Sequence, residues 1–181
     1  DLNWTQNGGS YGPGLGLGST VFTGSTVISG SVPVSFGIVR FNTGSNITMP
    51  VTFNTIRDFT IQPGVLLNTN NGTVIFSSST NQTLSAGGST LFNVSINKTG
   101  GALILSSPLN LLGTLLVQTA TNVNTNGNLT ILSLSDGPTN NGSIGPLPTG
   151  ALINGNVTLQ RFMSDEGVIN RYISIPMNSI P

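Results

Sequence analysis

The chain has 181 residues, 36% of them hydrophobic, and a charged fraction of only 6%, against about 25% in an ordinary soluble domain. Five Lys and Arg balance five Asp and Glu, and cysteine and histidine are both missing. That leaves no disulfide staple, none of the usual side-chain ligands for zinc, copper or haem iron, and no Cys–His or Ser–His dyad. The sequence therefore offers no catalytic, cofactor-binding or metal-binding residue, and a non-enzymatic role is expected. Without a basic cluster there is no electrostatic footprint for nucleic acid or a polybasic membrane contact. No run approaches the roughly 18 apolar residues of a membrane-spanning helix.

Polarity comes instead from amides and hydroxyls: Asn, Ser and Thr fill 66 positions and Gly 24, a surface suited to strands and turns rather than helices. The chain opens on Asp1 without a charged-then-apolar leader, which suggests a removed leader or an internal fragment. Residues 1–18, glycine-rich around Trp4 and Tyr11, read as a cap or entry strand; the two aromatics either close the first coil or stack on a sugar. Three six-residue units beginning at Gly18, Gly24 and Gly30 follow, and hexapeptide repeats are one signature of β-helices.

Short apolar or β-branched runs between Gly, Asn, Ser and Pro then predict strands at Thr20–Phe22, Thr26–Ile28, Phe36–Phe41, Ile47–Phe53, Asp58–Ile61, Val65–Leu67 and Thr73–Phe76. Further candidates are Thr90–Ile96, Ala102–Leu105, Leu109–Leu112, Thr114–Gln118, Asn128–Leu134, Asn156–Phe162 and Arg171–Ile175. No helical stripe survives the interruptions. Strands opening on Gly72, Gly88, Gly101, Gly113 and Gly127, taken two at a time, and asparagine clusters starting at Asn42, Asn68, Asn93 and Asn122 both suggest a period of about 26 residues. Such a period fits an all-β parallel β-helix (β-solenoid), whose stacked turns bring asparagines to one corner as an amide ladder. Continuously apolar runs such as Leu103-Ile104-Leu105 suit strands covered on both faces. The alternative is an antiparallel β-sandwich, for which Asn71-Gly72 and Asn141-Gly142 supply hairpin turns. The organisation expected is a cap at 1–18, a repeat region at 19–150, and a C-terminal strand element or start of a following domain at 151–181.

From Phe92-Asn-Val-Ser-Ile-Asn-Lys-Thr-Gly-Gly-Ala-Leu-Ile-Leu onward, and again in Ile153-Asn-Gly-Asn-Val-Thr-Leu-Gln-Arg-Phe followed by Arg171-Tyr-Ile-Ser-Ile-Pro, the chain resembles β-helical secreted proteins of the Bacteroidota exported by the type IX secretion system. The resemblance covers somewhat over half the chain. It implies a secreted or cell-surface protein, often large and multidomain, acting as an adhesin, filament or carrier stalk. The chain departs from that pattern at Pro181, where no C-terminal sorting domain is visible.

Few residues could carry chemistry. Asp165 and Glu166 are the adjacent carboxylates, in a sequence that reads as a solvated loop rather than a glycoside-cleaving pair. Asp58 and Asp136 could approach in a folded coil, yet one carboxylate per several coils is too few for a hard-cation site. Arg57 with Asp58, and Arg161 with Asp165, suggest local ion pairs, and Arg161 and Arg171 flank the loop that holds Asp165 and Glu166. Asn-x-Ser/Thr sequons stand at Asn3, Asn46, Asn71, Asn81, Asn93, Asn97, Asn128, Asn141 and Asn156; they read as glycosylation acceptors or as turn asparagines before β-forming residues. The regular Thr-x-Thr triplets that would order ice are not seen. The partners expected are neighbouring copies through self-association, or surface glycans. The functional expectations are a surface scaffold, a carbohydrate-binding or carbohydrate-active module, or an inert stalk of a larger protein.

Overall fold

The computed structural model describes residues 3–7, 19–135 and 140–162. They form twenty-one strands, numbered in chain order, with no α-helix among the described residues. The first face stacks β2 (Ser19–Phe22), β5 (Ile38–Phe41), β8 (Phe59–Ile61), β11 (Gln82–Ser85), β14 (Ala102–Leu105), β17 (Asn122–Asn124) and β20 (Leu152–Asn154). The second face stacks β4 (Val34–Phe36), β7 (Thr52–Thr55), β10 (Thr73–Phe76), β13 (Asn93–Ile96), β16 (Thr114–Val117) and β19 (Ser143–Ile144). The third side is split between two sheets. One holds β1 (Trp4–Gln6), β3 (Ser25–Gly30), β6 (Asn46–Thr48) and β9 (Leu66–Asn68); the other holds β12 (Thr90–Leu91), β15 (Leu109–Leu111), β18 (Leu129–Ile131) and β21 (Val157–Leu159).

Every strand pairing is parallel, and the one antiparallel contact among the described residues is an isolated bridge between Ser133 and Asn141. The molecule is a β-solenoid of about six turns, and the sandwich alternative is excluded. Seven strands on one face, spaced about 4.8 Å apart, give a stack of roughly 30 Å. The part of 151–162 that forms strands continues the stack, β20 pairing with β17 and β21 with β18.

The coil is shorter than the sequence period suggests. Ala102 lies over Asn122, Leu109 over Leu129 and Val39 over Phe59, so one turn takes about 20 residues rather than 26. The Gly-initiated pattern marks β10, β12, β14, β16 and β18, every second strand, whereas a turn contains three. Two steps of the pattern therefore cover one and a third turns. The asparagine clusters likewise fall at different corners, and no continuous amide ladder forms. In its place, among the described residues, is one amide pair in register, Asn154 Nδ2 donating to Asn124 Oδ1 at 3.1 Å.

Burial alternates along the strands as a single-layer wall requires. In β10, Val74 and Phe76 are buried and Thr73 and Ile75 are half-buried. The continuously apolar runs follow the same rule: Leu103 and Leu105 point inward while Ile104 lies outward, and Leu116 is 37% exposed. Their outward members are covered only by side chains of adjacent turns, not by a second layer. Long predicted strands break where the wall must turn, Phe36–Phe41 at Gly37 and Ile47–Phe53 around Pro50, which has no N–H for the ladder.

The interior changes midway. In the N-terminal turns it is aromatic: Phe36 and Phe53 pack 5.1 Å apart, Phe53 and Phe59 5.3 Å, and Phe41 meets Phe59 edge-on at 5.1 Å. From Leu84 onward it is aliphatic, through Leu91, Val94, Ile96, Leu103, Leu105 and Leu111. The path of the chain changes at the same level. Register-matched core positions from first to second face are 14 and 15 residues apart (Val39 to Phe53, Phe59 to Val74), then 10 (Leu84 to Val94, Leu105 to Leu115). The return from second to first face lengthens from 5 and 6 residues (Val34 to Val39, Phe53 to Phe59) to 10 and 11 (Val74 to Leu84, Val94 to Leu105). The turn from Val39 to Phe59 takes 20 residues and that from Leu84 to Leu105 takes 21, so the chain is redistributed between sides, with a boundary turn of 25 from Phe59 to Leu84. The third side consequently breaks between β9, which pairs with β6, and β12, which pairs with β15.

Candidate functional site

The return corner, where the second face runs into the first, holds the main concentration of buried polar groups. In the narrow turns it is closed by Thr55, which is 0% exposed and whose Oγ1 lies 2.8 Å from Arg57 O and 3.1 Å from Gly37 O. Where the corner widens, Gln82 occupies the added space. It is 0% exposed, and its Nε2 donates to Thr55 O at 3.0 Å and to Arg57 O at 2.8 Å. One turn further, Lys98 reaches back, 1% exposed, and donates from Nζ to Gln82 Oε1 and to Thr80 O, both at 2.8 Å. A corner cannot close its own backbone ladder, and buried carbonyls must be paired; long polar side chains from the next turn do so here.

Charging Lys98 inside this corner is unfavourable. Burial lowers its pKa from the ordinary lysine value, and the charge of Asp58 opposes the shift. Neither Lys98 nor Gln82 is singled out by the sequence reasoning above. The available signal was a lysine in the Asn-Lys-Thr-Gly turn of a chain with almost no charge.

Outside the corner, acidic and amide side chains complete the ladder. Asp58 Oδ1 accepts from Thr83 N at 2.7 Å, Asn81 Oδ1 from Ala102 N at 2.9 Å and Asn93 Oδ1 from Thr114 N at 2.8 Å. Two of the sequon asparagines, Asn81 and Asn93, thus act as corner caps. Asp58 turns to the next coil, and Arg57 contributes its backbone carbonyl to Gln82. Arg161 Nη1 donates to Gln160 O at 3.1 Å. Asp136, Asp165, Glu166, Arg171 and Tyr11 lie outside the described residues, as does the strand expected at Arg171–Ile175.

The outer surface of the second face carries a register row of Thr52, Thr73, Asn93, Thr114 and Ser143, whose last two hydroxyls lie 3.1 Å apart. Trp4 pairs in register with Ile28 and packs 5.4 Å from Phe36 and 6.4 Å from Phe22, so it lies against the core. An open groove of about 370 Å³ runs between Val27–Pro33 and Thr48–Thr52. Among the described residues no three His, Cys, Asp or Glu gather as metal ligands, and no helix is long and apolar enough to cross a membrane. Comparison with known protein families, curated proteins and solved structures returns no match.

Proposed function

We propose that the chain is a structural, adhesin-like segment of a secreted cell-surface protein, in which the solenoid itself is the working part. The observation that supports this reading most is the stack of parallel turns whose outer rows are neutral hydroxyls and amides, such as Thr52, Thr73, Asn93, Thr114 and Ser143. A stiff wall of this kind displays loops at fixed intervals. Its near absence of charge leaves little repulsion between adjacent copies. The resemblance to type IX secretion cargo supports export to the surface of a Bacteroidota cell.

Two measurements test the proposal. Protease applied to intact cells of the source organism removes a surface protein without lysis; retention until lysis overturns the surface assignment. Negative-stain microscopy over rising protein concentration shows lateral or end-to-end assemblies if copies associate, and monodisperse single particles at high concentration remove self-association.

A further inference from the structure

We propose that Lys98 and Gln82 form an intramolecular isopeptide cross-link that staples consecutive turns of the solenoid at the return corner. The two side chains meet in a closed space: Gln82 is 0% and Lys98 1% exposed, and Nζ is 2.8 Å from Oε1, the oxygen bonded to the amide carbon. The amide plane is fixed by its two Nε2 hydrogen bonds to Thr55 O and Arg57 O. The amine is placed by Thr80 O. Both partners are therefore held side by side before reaction, and proximity of this kind is one source of gain for an intramolecular attack.

Chemically the step needs no oxidant or cofactor. The Nζ lone pair, turned toward Gln82 by rotation about the terminal bond of the lysine, forms a bond to Cδ. The Cδ–Nε2 bond breaks, and Nε2 leaves as ammonia, carrying the proton given up by Nζ. Desolvation favours the neutral amine that this attack requires. The product joins positions 82 and 98 in a chain without cysteine, at the level where the third-side sheet is interrupted.

High-resolution mass spectrometry of the purified full chain is the test. A mass lower than the sequence mass by one ammonia, with a branched proteolytic peptide joining the segments that contain Gln82 and Lys98, is the expected result. Lys98→Arg, which keeps a cation but no transferable amine, restores the full sequence mass. Folded wild-type protein that keeps its full mass after prolonged incubation, or ammonia loss that persists in Lys98→Arg, overturns the proposal. Because the decisive measurement is made on the wild-type chain, failure of a variant to fold does not affect it.

Discussion

The carboxylate of Asp58 accepts a hydrogen bond at 2.7 Å from the backbone N–H of Thr83, one turn further along the solenoid. One turn later Asn81 does the same for Ala102. At these positions the chain bends into the first face, and a side-chain oxygen supplies an acceptor for the next turn's ladder. Replacing Asp58 with Ala leaves the Thr83 N–H without this acceptor and is expected to cost about 1 kcal/mol, whereas Asp58→Asn, which keeps an acceptor oxygen, costs less. Urea midpoints of the three proteins check the order.

Glycine substitutions separate backbone strain from crowding. Gly24 has φ +75° with nothing within 4 Å of an added Cβ, so Gly24→Ala is expected to cost about 1 kcal/mol through conformation alone. Gly101 has φ +65°, and its Cβ would stand 2.4 Å from the carbonyl carbon of Thr80 and 2.5 Å from Asn81 N. Both atoms are backbone of the preceding turn, so Gly101→Ala forces turns apart and is expected to cost about 4 kcal/mol or more. Thermal unfolding of the two variants measures the gap.

Phe53 touches Phe36, Phe41 and Phe59 at centroid distances of 5.1, 6.1 and 5.3 Å. Truncation to Ala empties the middle of the aromatic stack and is expected to cost about 3–5 kcal/mol. Because each turn contacts mainly its neighbours, the loss spreads unevenly. Hydrogen exchange is expected to accelerate first in β4, β7 and β8 and least in β18; a uniform acceleration along the chain would contradict this.

In protein whose mass shows Lys98 still an amine, stability depends on alkaline pH. Its folded pKa is lowered, so between that value and the ordinary lysine value of about 10.4 the unfolded chain binds more protons and stability rises with pH. Below the folded value the cost of burying the charge is present in full. Urea midpoints taken from neutral pH to pH about 10 are expected to increase. The increase disappears in Lys98→Met and in cross-linked protein.

The fold was legible where strand and turn chemistry is local. Thr73–Phe76 and Ala102–Leu105 have the predicted bounds, and Gly, Asn and Pro mark the corners. Gln82–Ser85 and Asn122–Asn124 carry no local signal because their outward positions are polar and one of the two inward positions of the first is Gln82 itself, so neither contains an apolar run. The Gly-initiated pattern overstates the turn length because it follows every second strand of a three-strand turn. The buried corner was hidden for a different reason. Gln82 and Lys98 are 16 residues apart, and nothing local tells a surface lysine from one that closes a corner; only the stacking of turns brings them together.

The redistribution of chain between the third side and the return corner bears on how such a molecule can be lengthened or recombined. Ala102 and Asn122 occupy equivalent positions one turn apart, so a duplicate of the intervening segment inserts with the same corners above and below it. A turn taken from the aromatic half has its short corner where the aliphatic half has a long one. Grafted across the boundary, it would meet neighbours whose bends fall elsewhere. The two halves are thus separate interchange groups, and growth by repetition is open within each and closed between them.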